Sequence, residues 1–370
     1  MTSPKRNSPS IEALYVHIPF CKGICPYCDF PKVYYDPNWA DAYLARLEEE
    51  AATRCVGPFS TLYVGGGTPS ALSPKQLERL LSFLAPFLKE GGEFSMEANP
   101  ESLDEEKIAL LARYGVNRVS LGVQSCQEKG IKTLGRNHDR EMVQKAIDSL
   151  RRHGIANINL DLMYGFPDQS EDDLLRDIAD FLSFGVPHLS CYSLILEQGT
   201  VYATRGVQPL DEDTQQRYFD IVLETLEKAG YARYEISNFA KPGFQCLHNR
   251  AYWKDLRYIG LGLGAASYEG NVRRNNTKSL SRYLDGRFLG EEETLDEAGE
   301  LEDYFLTNLR LVEGFTLKEF EDRFGFSFLE RYGDKAHRLE KRGLLSTGNG
   351  RVVCTKLGLD LLDMVLLELF

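Results

Sequence analysis

Between residues 12 and about 195, short apolar runs rich in β-forming residues alternate with longer stretches of helical period, and this alternation constrains the fold more than any other feature of the chain. The strand candidates are ALYVHI (13–18), TLYVGG (61–66), EFSMEA (93–98), NRVSLGV (117–123), NINLDLMY (157–164) and HLSCYSLI (188–195). Helical stretches follow them, clearest at 39–54, 73–88, 102–115, 140–154 and 170–185. Two of these open with a Ser before an acidic first turn, as helix starts prefer. Strands joined by helices of this length pair in parallel, because the return path must cross a face of the sheet. The expected class is therefore α/β, with six units forming a partial (β/α)6-type TIM barrel. A doubly wound sheet is the competing topology, and periodicity does not separate the two.

Past this core, a helix over 213–230 leads into YARYEISN (231–238), a further strand candidate. The texture changes near 290, where the acidic run EEETLDEAGELED precedes two helical stretches (316–325 and 328–343), the turn GNG, the strand RVVCT and a last helix. Helices followed by a small hairpin predict a C-terminal α+β, winged-helix-like domain. The organisation read from the sequence is a flexible tail (1–11), a barrel core (12–240), a connecting region (241–300) and the winged-helix-like domain (301–370). Lys and Arg number 43 against 55 Asp and Glu, a net charge of −12, which argues against a general nucleic-acid binder. For the C-terminal domain a packing or protein-contact role is accordingly preferred to DNA contact. The N-terminal residues lack the apolar core of a signal peptide, and no run of eighteen apolar residues occurs, so a cytosolic protein is expected.

A reducing cytosol changes how eight cysteines are read. Five stand alone (Cys55, Cys126, Cys191, Cys246, Cys354) and read as small buried hydrophobes. Cys21, Cys25 and Cys28 form C-x3-C-x2-C directly after the first strand. Three thiolates from one loop can hold three corners of an iron–sulfur cube and leave one iron open. Zinc would need a fourth ligand, and no Cys/His pair follows at a familiar spacing. An open iron corner suits a small chelator such as S-adenosylmethionine. The ends of strands two to five add unusual groups where a barrel places its site: Gly65-Gly66-Gly67-Thr68-Pro69, Glu97-Ala98-Asn99-Pro100, Gln124, and Asp161 within strand five.

With the motifs YVHIPFC, GGGTPS, EANP, GVQS, GRNHD and LDLMYGFP on view, the chain from Tyr15 through at least Trp253 resembles the radical S-adenosylmethionine superfamily. Within it, the likeness is to the group of oxygen-independent coproporphyrinogen III oxidases (HemN) and HemW-type haem chaperones. The resemblance implies a [4Fe-4S] cluster on Cys21, Cys25 and Cys28, and an S-adenosylmethionine site lined by Tyr15, Tyr27, Gly66, Gly67, Thr68, Glu97, Gln124, Arg136 and Asp161. Glu97 suits the cofactor's ammonium group, Arg136 its carboxylate, Asp161 the ribose hydroxyls, and Tyr27 an aromatic surface for adenine.

Two departures separate the chain from the oxidase pattern. Phe30 stands where the oxidase has a further cysteine, and only about a dozen residues precede Tyr15, too few for the oxidase's N-terminal lid. The marker of the chaperones, H-N-x-x-Y-W, is complete as His248-Asn249-Arg250-Ala251-Tyr252-Trp253. What this implies is haem binding and delivery to apo-haemoproteins, membrane-bound respiratory ones among the candidates, with peripheral membrane association to match. His248, Asn249, Tyr252 and Trp253 are the candidate haem residues, and Cys246 is a lesser candidate ligand. Oxidative decarboxylation of coproporphyrinogen III stays as the alternative, and a homo-oligomer joined through exposed haem stays open.

Overall fold

In the computed structural model, which describes residues 10–370, all six expected strands form. They are β1 (Ile11–Ile18), β2 (Phe59–Gly66), β3 (Leu88–Ala98), β4 (Arg118–Gln124), β5 (Asn157–Tyr164) and β6 (His188–Ser193). Each pairs in parallel with the next in chain order. A doubly wound sheet reverses direction partway, whereas here each of these six strands adds on the same side of the one before, as in a barrel. The sheet keeps two free ends and stays open. Most of the expected tail lies outside the described residues, and Ile11 already belongs to β1.

The stretch expected to connect the domains is itself part of the sheet. A seventh parallel strand, β7 (Arg257–Leu261), lies on the free side of β1, and β8 (Ala266–Glu269), β9 (Val272–Asn276) and β10 (Leu289–Thr294) extend it antiparallel. VRRNN and LGEEET do not read as strands, because an edge strand with a wet face needs little apolar pattern. At the other end YARYEISN divides: Ala232–Arg233 and Asn238–Ala240 form a short antiparallel pair against β6.

The main helices packed with the sheet are α1 (Pro37–Arg54), α2 (Pro74–Leu84), α3 (Glu105–Arg113), α4 (Arg140–Arg152), α5 (Glu171–Ser183), α6 (Glu212–Lys228) and α7 (Leu247–Trp253). Ser170 caps α5 in a reciprocal capping box with Asp173, while α3 starts later than expected, with Asp104 rather than Ser102 as its cap. Side chains alternate across the sheet, which gives it two chemically different faces. Leu14, Val16, Leu62, Val64, Phe94, Met96, Val119, Leu121, Ile158 and Leu160 bury themselves in the main core with the apolar stripes of the helices, such as Leu77, Leu80, Leu81 and Leu84 of α2. The intervening residues face inward and are mostly polar. Helix α7 packs against β1, β2, β3 and β7. Thr61 of β2 and Glu93 of β3 bond to it, which places it across the barrel toward the N-terminal ends of the strands.

The C-terminal domain has its own core, as the pattern predicts. Helices α8 (Glu297–Asn308), α9 (Leu317–Phe324) and α10 (Phe328–Lys341) pack with a three-stranded sheet built from 315–316, 345–346 and 351–354. Aromatic rings dominate that core, Phe305 and Phe320 lying stacked at 5.9 Å with Tyr304, Phe315 and Phe328 around them.

Candidate functional site

The polar face of the barrel encloses a cavity of about 530 Å³, a volume suited to a small-molecule ligand. Its rim is made by two loops stitched together at the C-terminal ends of β1 and β2. The Gly67 and Thr68 amides donate to the carbonyls of Ile18 (2.8 Å) and Phe20 (2.9 Å), and the Thr68 hydroxyl lies 3.5 Å from Cys21 Sγ. Gly66 has φ +118°, and a Cβ there would meet the His17 ring at 2.6 Å. A Cβ on Gly67 would stand 2.9 Å from Cys21 Sγ and 2.8 Å from the Pro19 carbonyl carbon. The glycines are thus needed for the backbone to approach the cysteine loop this closely.

Cys21, Cys25 and Cys28 all line the cavity. Burial pushes the Cys21 and Cys28 thiols up, so a bound metal is what would hold them as thiolates. Among the described residues no three His, Cys, Asp or Glu side chains are gathered as a metal site. Arg136 reaches the same rim. Its Nη1 lies 3.4 Å from Cys25 Sγ, its Nη2 donates to Asn99 Oδ1 at 2.9 Å and to the Gly122 carbonyl at 2.5 Å, and its buried Nε has no partner among the described residues. A buried guanidinium with spare donors beside a cluster loop is disposed to take a carboxylate.

Deeper, Glu97 accepts from the Tyr63 hydroxyl (2.9 Å) and the Gly66 amide (3.0 Å). Burial, with Asp161 nearby, pushes its carboxyl up to about 7. Burial likewise raises Asp161, although the Asn159 amide donates to it at 2.7 Å. Gln124 ends β4 with φ +69°, a conformation that costs energy in a non-glycine residue and here swings the side chain to accept from Tyr192 Oη at 2.8 Å. Tyr27, Gly66, Gly67, Thr68, Glu97, Gln124, Arg136 and Asp161 are all in the cavity wall. Tyr15 is not. Its hydroxyl pairs with His17 Nδ1 at 3.0 Å and its ring packs on Tyr63, so it backs the wall rather than forming it.

The H-N-x-x-Y-W residues lie mostly away from the cavity. His248 is 1% exposed, with Nδ1 2.9 Å from the Thr61 hydroxyl, Nε2 2.8 Å from the Tyr252 hydroxyl, and its ring stacked on Tyr63. No ring nitrogen is free to ligate iron in this conformation, and Tyr252 is spent on His248. Trp253 lies under the Arg310 guanidinium, 4.6 Å from its ring centre, and links α7 to the C-terminal domain. Cys246, fully buried, caps α7. Only Asn249 of the motif reaches the cavity. The sequence reading also missed Arg118, Ser120, Asn159, Ser190, Tyr192 and Asn238, which line the cavity too. Polar residues at every second position of β4 and β5 were the available signal.

Residues 15–181 match the Radical SAM superfamily and residues 295–361 the HemN C-terminal domain. The heme chaperone HemW of Lactococcus lactis is 38% identical over 95% of this chain and 95% of its own length. The chain belongs to the HemW family. Heme chaperone HemW of Bacillus subtilis is 34% identical over 94% of this chain and 96% of its own, and that of Escherichia coli 35% identical over 83% and 85%. Coproporphyrinogen III oxidase (HemN) of Escherichia coli superposes with a TM-score of 0.85 over 99% of this chain and 91% of its own, at 23% identity. That likeness establishes a HemN-like fold for this HemW-family chain. Membership of the superfamily implies a [4Fe-4S] cluster and S-adenosylmethionine.

Proposed function

We propose that this protein is a haem chaperone, binding haem and passing it to apo-haemoproteins, membrane-bound respiratory ones included, from a cytosolic radical S-adenosylmethionine scaffold. The reading rests on full-length likeness to HemW, together with Phe30 at the position where the oxidase pattern has a cysteine. No helix among the described residues is long and apolar enough to cross a membrane.

Cys21, Cys25 and Cys28 would hold the cluster, and Arg136, Glu97, Asp161 and Gln124 the S-adenosylmethionine. When bound, this pair supplies one-electron chemistry capable of generating a carbon radical. The chain's own part is positioning. Arg136 places a carboxylate beside Cys25, Glu97 receives an ammonium group below Gly66, and Tyr27 offers a flat face at the rim.

The deciding experiment incubates the anaerobically reconstituted protein with coproporphyrinogen III and S-adenosylmethionine, and in parallel mixes haem-loaded protein with an apo-haemoprotein. The expected result is no protoporphyrinogen IX and recovery of the holo-haemoprotein. Turnover to protoporphyrinogen IX would install the oxidase reading instead.

Glu97 provides a second check. A carboxyl raised to about 7 is mostly neutral at pH 6 and mostly ionised at pH 7.5, and only the ionised form attracts an ammonium group strongly. S-adenosylmethionine affinity is therefore expected to rise severalfold over that interval in anaerobic titration calorimetry. Glu97→Gln should bind more weakly with a flat profile. A steep profile retained in Glu97→Gln would remove Glu97 from this role.

A further inference from the structure

The cavity continues below the groups assigned to S-adenosylmethionine. Arg118 begins β4 on the same strand face as Ser120, Gly122 and Gln124, four residues or about 13 Å of strand before Gly122, where the Arg136 head is bonded. Both arginines line one cavity, and Arg118 is rooted lower on β4 than the carbonyl that holds Arg136. Arg118 is 2% exposed and lines the cavity, its Nε has no partner, and no carboxylate forms an ion pair with it among the described residues.

Its polar neighbours are engaged with one another, and the buried acids Glu93, Glu97 and Asp161 act on it through space without a direct hydrogen bond. Asn159 donates to Ser120 Oγ at 2.7 Å, and the Ser190 hydroxyl donates to Asn238 Oδ1 at 2.7 Å. Glu93, on the adjacent strand, accepts from the amides of Leu247 (3.0 Å) and His248 (3.1 Å) and so caps α7. From α7 itself, the Asn249 side chain faces the cavity and makes no hydrogen bond among the described residues. A buried cation without a paired anion is costly, and the fork of a guanidinium matches the two oxygens of a carboxylate.

We propose that the cavity floor is a binding site for the carboxylate of a small molecule, held by Arg118 and Asn249 and separate from the S-adenosylmethionine position above it. That separation rests on the cofactor reading given above, whereas the carboxylate site itself does not. The shared chemistry could also be met by the cofactor's own carboxylate, and the test distinguishes the two sources.

Propionate serves as the probe, titrated into anaerobically reconstituted protein at constant ionic strength against a chloride control, with the thermal midpoint as readout. Saturable stabilisation is expected in the wild type, also with S-adenosylmethionine saturating. Affinity should fall about tenfold or more in Arg118→Gln, in line with loss of a charge-assisted hydrogen bond, and recover in part in Arg118→Lys. Asn249→Ala, a milder change at the same floor, should weaken propionate binding without altering the apparent S-adenosylmethionine affinity. No saturable propionate effect in the wild type, or equal affinity in Arg118→Gln and Asn249→Ala, overturns the proposal. Competition between propionate and S-adenosylmethionine, with both weakened in Arg118→Gln, overturns the separate site and assigns Arg118 to the cofactor's carboxylate. A wild type that binds propionate but no S-adenosylmethionine strikes only the cofactor reading.

Discussion

Changing Cys21, Cys25 and Cys28 together to alanine is expected to abolish iron and acid-labile sulfide in anaerobically prepared protein, along with its visible absorbance, while leaving the chain folded. The three thiols are the only cysteines lining the cavity, so no other thiol stands ready to substitute. The loop does not depend on them for its backbone path. Val33 N–H donates to the Pro19 carbonyl at 2.8 Å, Tyr35 N–H to the Cys21 carbonyl at 2.9 Å, and Tyr202 N–H to the Pro26 carbonyl at 3.0 Å, and all of these survive alanine. Single replacements should lose most of the iron as well, because a cube tethered at two vertices has two irons open to solvent and exchange. Iron and sulfide assays with circular dichroism measure both halves of the expectation. Full iron content in the triple variant, or zinc in the wild type, would refute the assignment. On the proposed reading, in which Arg136 beside Cys25 would hold the carboxylate of S-adenosylmethionine, the reduced wild-type protein should also change its electron paramagnetic resonance signal when S-adenosylmethionine is added.

How much of this was legible beforehand varied with the kind of signal. The parallel strands carried it strongly: runs such as NINLDLMY bury an apolar face against helices, and Ile158, Leu160 and Leu162 do so here. The rim of the site was legible because rare local patterns mark it, three cysteines in eight residues and three consecutive glycines. The floor was not, since Arg118, Asn159 and Ser190 are single polar residues whose meaning depends on which side of the sheet faces in. That side is fixed by register and closure, both properties of the assembled sheet. Strands β8 to β10 escaped for another reason. At an open edge the backbone ladder supplies most of the pairing, and a sequence like LGEEET, exposed along its whole length, has no core to satisfy. The motif His248-Asn249-Arg250-Ala251-Tyr252-Trp253 was conspicuous as a motif, but its geometry depends on a helix that folds back across the barrel from about 150 residues beyond Glu93.

That geometry makes His248→Ala the second large expectation, and its sign differs between a ligand and a scaffold residue. A histidine kept only to bind haem would leave the haem-free protein as stable as before. Here the imidazole joins Thr61 of β2 to Tyr252 of α7 from a fully buried position, and its loss strands two buried hydroxyls besides opening space beside Tyr63. Each stranded group costs about 1–3 kcal/mol, so a loss on the order of 3 kcal/mol is expected, about 4 °C in the thermal midpoint for a chain of this length. His248→Gln, which can retain one of the two bonds, should fall between. The pH dependence supplies an independent reading. Burial, with Arg118 nearby, lowers the His248 pKa to about 3, so below the usual histidine value of 6.5 the unfolded chain takes up a proton that the folded one refuses. Stability contributed by neutral His248 is therefore present above pH 6.5 and lost progressively as pH falls toward 3, and this part of the acid sensitivity should disappear in both variants. If instead the haem-free variants match the wild type in midpoint and acid profile, while the haem absorption band shifts or vanishes, then α7 must open to present His248 to iron, and the closed arrangement described here is the haem-free state of a moving part.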